Sequence, residues 1–222
     1  MPKKVKKKIR FKLIPIFVFL LSLVILYFTI TYISDTKIRN IYVYNNNILS
    51  DQEIIDLAGI SDYPSFYKTL SKSIKNNIKK NPIVKDVKVK KRLFNVLKIY
   101  IEEETPVFIQ DNMIVLSSGA KVDLFACKIP ILSGLNEGDI YKNLISSLSK
   151  TDKKALRQMS QIIYSPSEYD KTRFLIYMDD GNHVYININK FENINYYDEI
   201  YPTLNGKKGT LYLDSGNHFE TF

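Results

Sequence analysis

The longest hydrophobic segment of the chain lies near its start. From Leu13 to Ser34, 22 consecutive residues carry no charge and are dominated by Leu, Ile, Val and Phe. As an α-helix with a rise of 1.5 Å per residue, this segment would be about 33 Å long, enough to cross the hydrocarbon core of a bilayer. The pattern therefore predicts a transmembrane helix over residues 13–34.

The residues on either side of this segment predict its orientation. Residues 1–12 contain seven basic side chains and no acid, and Asp35 follows the apolar run. The positive-inside rule then places the N-terminus in the cytoplasm and residues 35–222 outside it. A cleavable signal peptide has a shorter apolar region that ends in small residues, whereas Tyr32-Ile33-Ser34 is bulky at that point. We therefore expect an uncleaved, single-pass anchor.

Residues 35–108 alternate between strand and helix patterns. The expected strands are Ile38 to Tyr44, Val84 to Val89 and Val96 to Glu102, and the expected helices are Ser50 to Ala58 and Phe66 to Ile78. Ser50 and Glu53 have the spacing of a capping box, and Gly59 suits the end of the first helix. Phe66, Leu70, Ile74 and Ile78 recur every four residues, which is typical of one helix face. The prediction is a small β-α-α-β-β domain whose helices cover one face of its sheet.

Residues 109–222 predict a second, mixed α/β domain with a mostly antiparallel sheet. The expected elements are a hairpin over 114–123, a strand over 129–134, a helix over 139–164 with a break at 150–152, a hairpin over 174–186 turning at Asp180-Gly181, a helix over 189–204 and a last strand over 209–216. The fold class of the whole chain is therefore α+β, following one transmembrane helix.

Charge and cysteine content exclude several functions. The net charge is +9, but without residues 1–12 it falls to +2, so the basic excess belongs to the tail and argues against a nucleic-acid-binding fold. The stretch from Lys72 to Arg92 holds nine basic residues against Asp86 alone. It is either a solvated face or a site for anionic polymers, lipid headgroups or an acidic partner protein. A single cysteine, Cys127, excludes an intramolecular disulfide and a multi-Cys zinc site, and beside Phe125 it suits a small buried hydrophobe.

Candidates for catalysis are few. His183 and His218 both follow Gly-Asn, so they either approach each other as metal ligands or occupy two unrelated turns. Glu102-Glu103-Glu104 would alternate between the two faces of a strand and not converge. Because no motif for nucleophilic, metal-dependent or phosphate chemistry is present, we predict no catalytic residues, metal, cofactor or small-molecule substrate. The alternative is a membrane-anchored extracytoplasmic cell-wall enzyme.

The order of these elements resembles a known family. The stretches that carry the likeness are Ile41-x-Val43, Asn47-x-Leu49-Ser50, Glu53-Ile54, Ala58-Gly59-Ile60, Asn81 to Val89 and Ile99 to Val107. Together with the basic tail and the single span they resemble the bacterial cell-division protein family FtsQ, called DivIB in Gram-positive bacteria, and its POTRA domain. Two positions depart from the family pattern: Asn46 replaces a turn glycine, and Thr105 replaces an arginine.

The resemblance implies a boundary between a POTRA-like domain, residues 35–108, and a β domain, residues 109–222. It also implies a non-enzymatic scaffold at the division septum that binds FtsB/DivIC-like and FtsL-like membrane proteins, and no nucleic acid. A strand at a sheet edge can accept a partner strand through its free backbone groups. From the residues alone the last strand is either interior or at the edge, and the resemblance favours the edge. The partner-binding residues that it implies are Leu211, Tyr212, Leu213, Asp214, Ser215 and Gly216. On this basis we expect Leu213→Pro to weaken partner capture.

Overall fold

A computed structural model describes residues 13–222 of the protein. The predicted basic tail, residues 1–12, lies outside the described residues. The described chain forms two compact units: the first contains the residues up to Lys80 together with Val87–Ile101, and the second contains Asn81–Asp86 and Glu102–Phe222.

The first element is the apolar helix α1, Leu13–Ser34. Its side chains from Ile14 onward are almost all exposed in the isolated chain, as expected of a helix that packs against lipid rather than against its own protein. Among the described residues it is the one helix that is long and apolar enough to cross a membrane.

The first unit then has the predicted β-α-α-β-β order. Its elements are β1 (Asn40–Tyr44), α2 (Asp51–Ala58), α3 (Ser71–Ile78), β2 (Val84–Arg92) and β3 (Val96–Glu103), although the first residues of β2 and the last residues of β3 are grouped with the second unit. The sheet order is β1-β3-β2, with β1 parallel to β3 and Asn40 paired with Val96. On β3 the side chains of Leu97, Ile99 and Ile101 are buried and alternate with half-buried ones, so the helices cover one face of this sheet.

Features of this unit that depend on only a few neighbouring residues, such as the two ends of α2, were predicted correctly. The capping box is confirmed: the Glu53 N–H donates to Ser50 Oγ at 3.3 Å, and the Ser50 N–H donates to the Glu53 carboxylate at 2.8 Å. Gly59 ends α2 in the left-handed conformation, with φ of 69°. In the turn between β1 and α2 the left-handed residue is Asn45, one position before the asparagine that replaces the family's turn glycine.

The predicted start of the second helix was wrong. Helix α3 begins at Ser71, and Phe66 lies buried in the loop before it. The Phe66 N–H donates to the Thr36 carbonyl at 2.9 Å, and the Ile38 N–H donates to the Pro64 carbonyl at 3.0 Å. Because Pro64, Ser65 and Phe66 pair with the chain that follows α1, the backbone there is held in a bridge and the helix begins only after it.

The second unit is built on a nine-stranded sheet. Its elements are β4 (Pro106–Gln110), β5 (Met113–Leu116), β6 (Lys121–Val122), β7 (Ile131–Ser133), α4 (Asp139–Lys150), α5 (Lys153–Gln158), β8 (Met159–Tyr164), β9 (Arg173–Met178), β10 (His183–Asn187), a 3₁₀ helix (Ile188–Tyr196), α6 (Tyr197–Ile200), a second 3₁₀ helix (Tyr201–Leu204), β11 (Gly209–Tyr212) and β12 (His218–Thr221). The strand order is β12-β11-β10-β9-β8-β7-β4-β5-β6, and most neighbours are antiparallel, as predicted.

Two helical predictions in this unit need correction. The break at residues 150–152 is confirmed, but residues 159–164 form strand β8 instead of continuing the helix. Ile162 pairs with Leu132 on one side and Ile176 on the other, so long-range pairing decides the conformation of this short apolar run. Residues 188–204 are mostly 3₁₀ helix, interrupted by the four-residue α6.

One hydrophobic core holds the helices of the second unit against the sheet. Buried helical side chains such as Leu144, Leu148 and Phe191 share this core with Phe174 and Ile186 of the sheet. Because the helices cover one face of the C-terminal strands, the other face and the last strand remain available for external contacts.

Candidate partner-binding edge of the C-terminal sheet

The predicted edge strand is not at the edge. β11 ends at Tyr212 and has a neighbour on each side: Leu211 pairs with Val184 of β10 in parallel and with Phe219 of β12 in antiparallel orientation. The prediction that Leu211 to Gly216 forms an open sheet edge was therefore wrong. The sequence pattern failed here because it stopped one strand short of the C-terminal end of the sheet.

The residues after β11 form a turn that is bonded to their own unit. The Leu213 and Asp214 N–H groups both donate to the Tyr185 carbonyl, at 2.8 and 3.2 Å. Arg173 Nε donates to Asp214 Oδ2 at 2.8 Å in a largely buried ion pair, and Lys190 Nζ donates to the Asp214 carbonyl at 2.8 Å. Leu213→Pro would therefore break a bond within the protein, so it cannot test partner binding as expected from the sequence.

One edge of this sheet is formed by β12, and β6 forms the other. The Phe222 N–H donates to the Lys208 carbonyl at 3.1 Å, and this bond shows which residues of β12 are hydrogen-bonded to β11 and which are not. Because inward and outward backbone groups alternate, Glu220 and His218 face β11, whereas the N–H and C=O groups of Phe219 and Thr221 point outward. Within residues 13–222 no further strand lies beyond them.

A local signal for β12 is present in the sequence. Ser215-Gly216-Asn217 separates two short runs that contain aromatic residues, and Gly216 and Asn217 both have positive φ, of 139° and 54°. Such a pair is typical of a tight turn between antiparallel strands. The Gly-Asn pair was correctly assigned to a turn, but the four residues after it were not assigned to a returning strand.

A buried polar network positions the start of β11. Asn182 is fully buried in the turn between β9 and β10. Its Oδ1 accepts from the Gly209 N–H at 3.1 Å, and its Nδ2 donates to Asp180 Oδ2 and to the Tyr197 hydroxyl oxygen, at 3.1 and 3.0 Å. The Tyr197 hydroxyl donates to Asp180 Oδ2 at 2.7 Å. Burial, followed by this bond to Asp180, raises the pKa of Tyr197 above its usual range.

The sheet face opposite the helices carries a row of aromatic side chains beside the edge. The guanidinium carbon of Arg173 lies 3.7 Å from the centre of the Tyr185 ring, which stacks on Tyr212 at 5.4 Å. Tyr212 in turn stacks on His218 at 4.6 Å with nearly parallel planes. Partial burial, together with the Glu220 carboxylate, raises the pKa of Tyr212. The row links the outer strands β10, β11 and β12 through side-chain contacts on this face.

The two histidines do not form a metal site together. His183 packs against Tyr177 and Phe222, with ring centres 4.4 and 4.8 Å apart, whereas His218 stacks on Tyr212. In the part of the chain that the structure describes, no group of three or more His, Cys, Asp or Glu side chains is arranged to hold a metal ion.

The other chemical candidates are dispersed. Glu102 pairs with Lys85 at 2.6 Å, whereas Glu104 accepts a hydrogen bond from Ser117, so these two carboxylates have separate partners and do not share one site. Cys127 is half-buried against the small apolar cluster around Leu116, and burial raises the pKa of its thiol, which lowers its reactivity.

Comparison with known proteins finds relatives of the FtsQ/DivIB type, and the matches cover most of the chain. Residues 36–104 match the family described as POTRA domain, FtsQ-type. Cell division protein DivIB of Brevibacillus brevis is 30% identical over 207 residues, which cover 88% of this chain and 77% of that protein. DivIB of Bacillus cytotoxicus is 28% identical over 215 residues, covering 91% and 82%.

Among solved structures, the major extracytoplasmic domain of DivIB from Geobacillus stearothermophilus aligns with 47% of this chain and 96% of its own. The identity is 24% and the TM-score is 0.39.

The fold and the first match define a class of protein with an N-terminal apolar helix, an FtsQ-type POTRA domain and a second, β-rich unit. Within this class, identity over most of both sequences identifies the family. The chain belongs to the DivIB family of cell division proteins. The resemblance inferred from the sequence is confirmed.

Proposed function

We propose that this protein is a non-enzymatic scaffold of the division septum, without a cofactor, that binds FtsB/DivIC-like and FtsL-like membrane proteins by strand addition at β12. It would cross the cell membrane once, with residues 1–12 in the cytoplasm and the bulk of the chain outside. The proposed domains are the membrane helix over 13–34, the POTRA-like domain over 35–108 and the β domain over 109–222, a boundary that falls within strand β4 of the second sheet. Relatives named as cell division proteins support the general role.

The single observation that carries the binding proposal is that the N–H and C=O groups of Phe219 and Thr221 point away from β11, at the edge of the sheet. A partner segment in extended conformation would complete the hydrogen bonds of these two residues. Its side chains on one face would extend the apolar layer of Leu211 and Phe219, and those on the other face would meet Tyr212 and His218.

The segment that the sequence favoured keeps a supporting role in this proposal. Leu211 and Leu213 are buried in the core, and Asp214 is tied to Arg173 and Lys190. These contacts fix the position of β11 and of the turn that leads into β12. Leu211 to Gly216 would therefore act on partner binding by positioning the acceptor strand.

The test is a proline at the outward-facing position 221. Thr221→Pro removes an N–H group that points away from β11, so the internal ladder keeps its bonds while the edge loses a donor. We expect the full-length variant to recover less DivIC-like and FtsL-like protein on co-purification from membranes. Thr221→Ala is the matched control, because it changes the side chain and keeps the N–H group.

The comparison of these two variants separates backbone pairing from other modes of binding. Loss of recovery in Thr221→Pro but not in Thr221→Ala, with unchanged thermal unfolding in both, is the expected result. Equal recovery by both variants would show that the partners bind elsewhere, even if the protein still collects at the septum.

A further inference from the structure

Large apolar side chains are exposed at one end of the first unit. Beyond α1, six such side chains are exposed between residues 35 and 105, and five of them lie in two loops. One loop contains Tyr63, Tyr67 and Leu70, and the other is the tip of the β2–β3 hairpin, where Leu93 and Phe94 are 82% and 80% exposed. Solvent exposure of this kind, grouped rather than scattered, marks an interaction surface.

Both loops are bonded to the short segment that leaves α1. The Arg39 N–H donates to the Asn95 carbonyl at 3.0 Å, directly beside the hairpin tip. Ser65 Oγ donates to the Ser34 carbonyl, and Lys68 forms an ion pair with Asp35. From Ser34 to Arg39 the chain can span at most about 18 Å. The two loops are therefore held near the end of the apolar helix.

The backbone of the hairpin tip carries a further indication. Phe94 has a φ of 63° and Asn95 a φ of 58°. Asn is common in this left-handed region, but a bulky aromatic residue is not. A strained, mostly exposed Phe contributes little to the stability of its own domain, and such strain concentrates at binding sites.

The charged residues beside the hairpin tip indicate what this exposed surface binds. Lys90 and Arg92 precede Leu93 on β2, and Arg39 is bonded next to the tip. Apolar side chains flanked by basic ones match the interface of a bilayer that contains anionic lipids, where rings and aliphatic groups enter the headgroup boundary and cations remain at the phosphates. Continuity with α1 favours lipid over a separate protein.

We propose that the tip Leu93-Phe94 and the loop over 63–70 form a membrane-docking rim that enters the lipid interface on the side where α1 ends. The rim would fix the distance and tilt of the first unit over the bilayer. This inference rests on the membrane anchor in the proposed function and is independent of partner binding at β12.

The absence of tryptophan from the sequence makes the test direct. Phe94→Trp gives a protein with one tryptophan at the rim, and Tyr169→Trp gives a control at a side chain that is 98% exposed in the second unit. Each full-length variant is placed in nanodiscs of phosphatidylcholine and phosphatidylglycerol, with and without bromine on the acyl chains. We expect the tryptophan emission of Phe94→Trp to shift to the blue and to be quenched by brominated lipid, and that of Tyr169→Trp to do neither.

Further variants show whether a change in tryptophan emission comes from lipid or from a protein contact. Tyr67→Trp is a second reporter in the other loop and should also be quenched, which keeps the test valid if Phe94→Trp folds poorly. Adding Arg92→Glu to Phe94→Trp should reduce quenching in the anionic nanodiscs. Blue-shifted emission without quenching would indicate a protein contact and overturn the proposal, as would unquenched, solvent-like emission from both rim reporters.

The anchor and the β12 proposal can fail separately from the rim. A failed anchor would appear as loss of every variant from the nanodiscs, including Tyr169→Trp. Adding Thr221→Pro to Phe94→Trp should leave the quenching at the rim unchanged, and Phe94→Trp alone should leave partner recovery unchanged.

Discussion

Gly209 and Glu220 approach so closely that a Cβ atom on residue 209 would lie 2.0 Å from the Glu220 carbonyl oxygen. The same atom would lie 2.8 Å from the ring of Phe219. The lack of a side chain at the first residue of β11 is therefore what allows the edge strand to lie against it.

Gly209→Ala should detach β12. Because the obstacle is backbone, the added methyl group forces the strands apart, and overpacking of this kind typically costs about 1–3 kcal/mol. We expect faster amide exchange over residues 218–222 and weaker partner recovery. Gly138→Ala is the control, since a methyl group there would have nothing within 4 Å and the φ of 172° is extended. Increased recovery by Gly209→Ala would mean that β11 itself, freed of β12, accepts the partner, and unchanged recovery would mean that the partner binds elsewhere.

Asn182→Ala should destabilise the start of β11, where the Asn182 side chain accepts the hydrogen bond of the Gly209 N–H. It removes the acceptor of the Gly209 N–H and the amide that donates to Asp180 and Tyr197, all inside the fold. The Gly209 N–H then loses its acceptor, whereas Asp180 and Tyr197 keep the bond to each other, and a buried polar group left without its partner costs about 1–3 kcal/mol. Denaturant unfolding of the full-length protein in detergent should therefore report a lower midpoint than for Asn76→Ala, an exposed helix position. Equal midpoints would show that the network contributes little.

The fold was predictable wherever the determining contacts are local. Ser50 and Glu53 are three residues apart and satisfy each other, so the start of α2 was correct. Ile162 and Ile163 suit a helix as well as a strand, and their conformation is set by strands β7 and β9, which come from other parts of the chain. No local pattern contains that information.

The sequence indicated the C-terminal part of the sheet as the candidate site, but not which strand lies at its edge. Whether β11 lies at an edge depends on its pairing with β10 and with β12, and the parallel pairing joins Val184 to Leu211 across a helical segment. The family resemblance pointed to the C-terminal end of the sheet, but strand order is a tertiary property. The role of Asn182 was likewise hidden, because a Gly-Asn turn in a sequence does not indicate what the amide will contact.

Tyr197 should make the stability of the second unit sensitive to alkaline pH. Its pKa is raised in the folded state, so the folded protein keeps a proton that the unfolded chain releases near the ordinary tyrosine value, about pH 10. The stabilisation is complete below that pH and is lost as pH rises above it. Tyr197→Phe should remove this part of the alkaline dependence, whereas Tyr169→Phe should not change it. Unfolding midpoints measured at neutral and alkaline pH give the comparison.

Ser50→Ala should destabilise the first unit and change its response to acid. Loss of the hydroxyl that accepts from the Glu53 N–H typically costs about 1 kcal/mol. Hydrogen bonds from the Ser50 N–H and hydroxyl lower the pKa of Glu53, so their stabilising effect is present above the unfolded value, about pH 4.3, and is lost as pH falls through the lower folded value. Ser50→Ala removes one of these two bonds, so its destabilisation should be largest near neutral pH and smaller in acid. Ser73→Ala, an exposed position in α3, is the control for general effects of the substitution. A constant difference between Ser50→Ala and the parent protein at every pH would refute the coupling between cap and carboxylate.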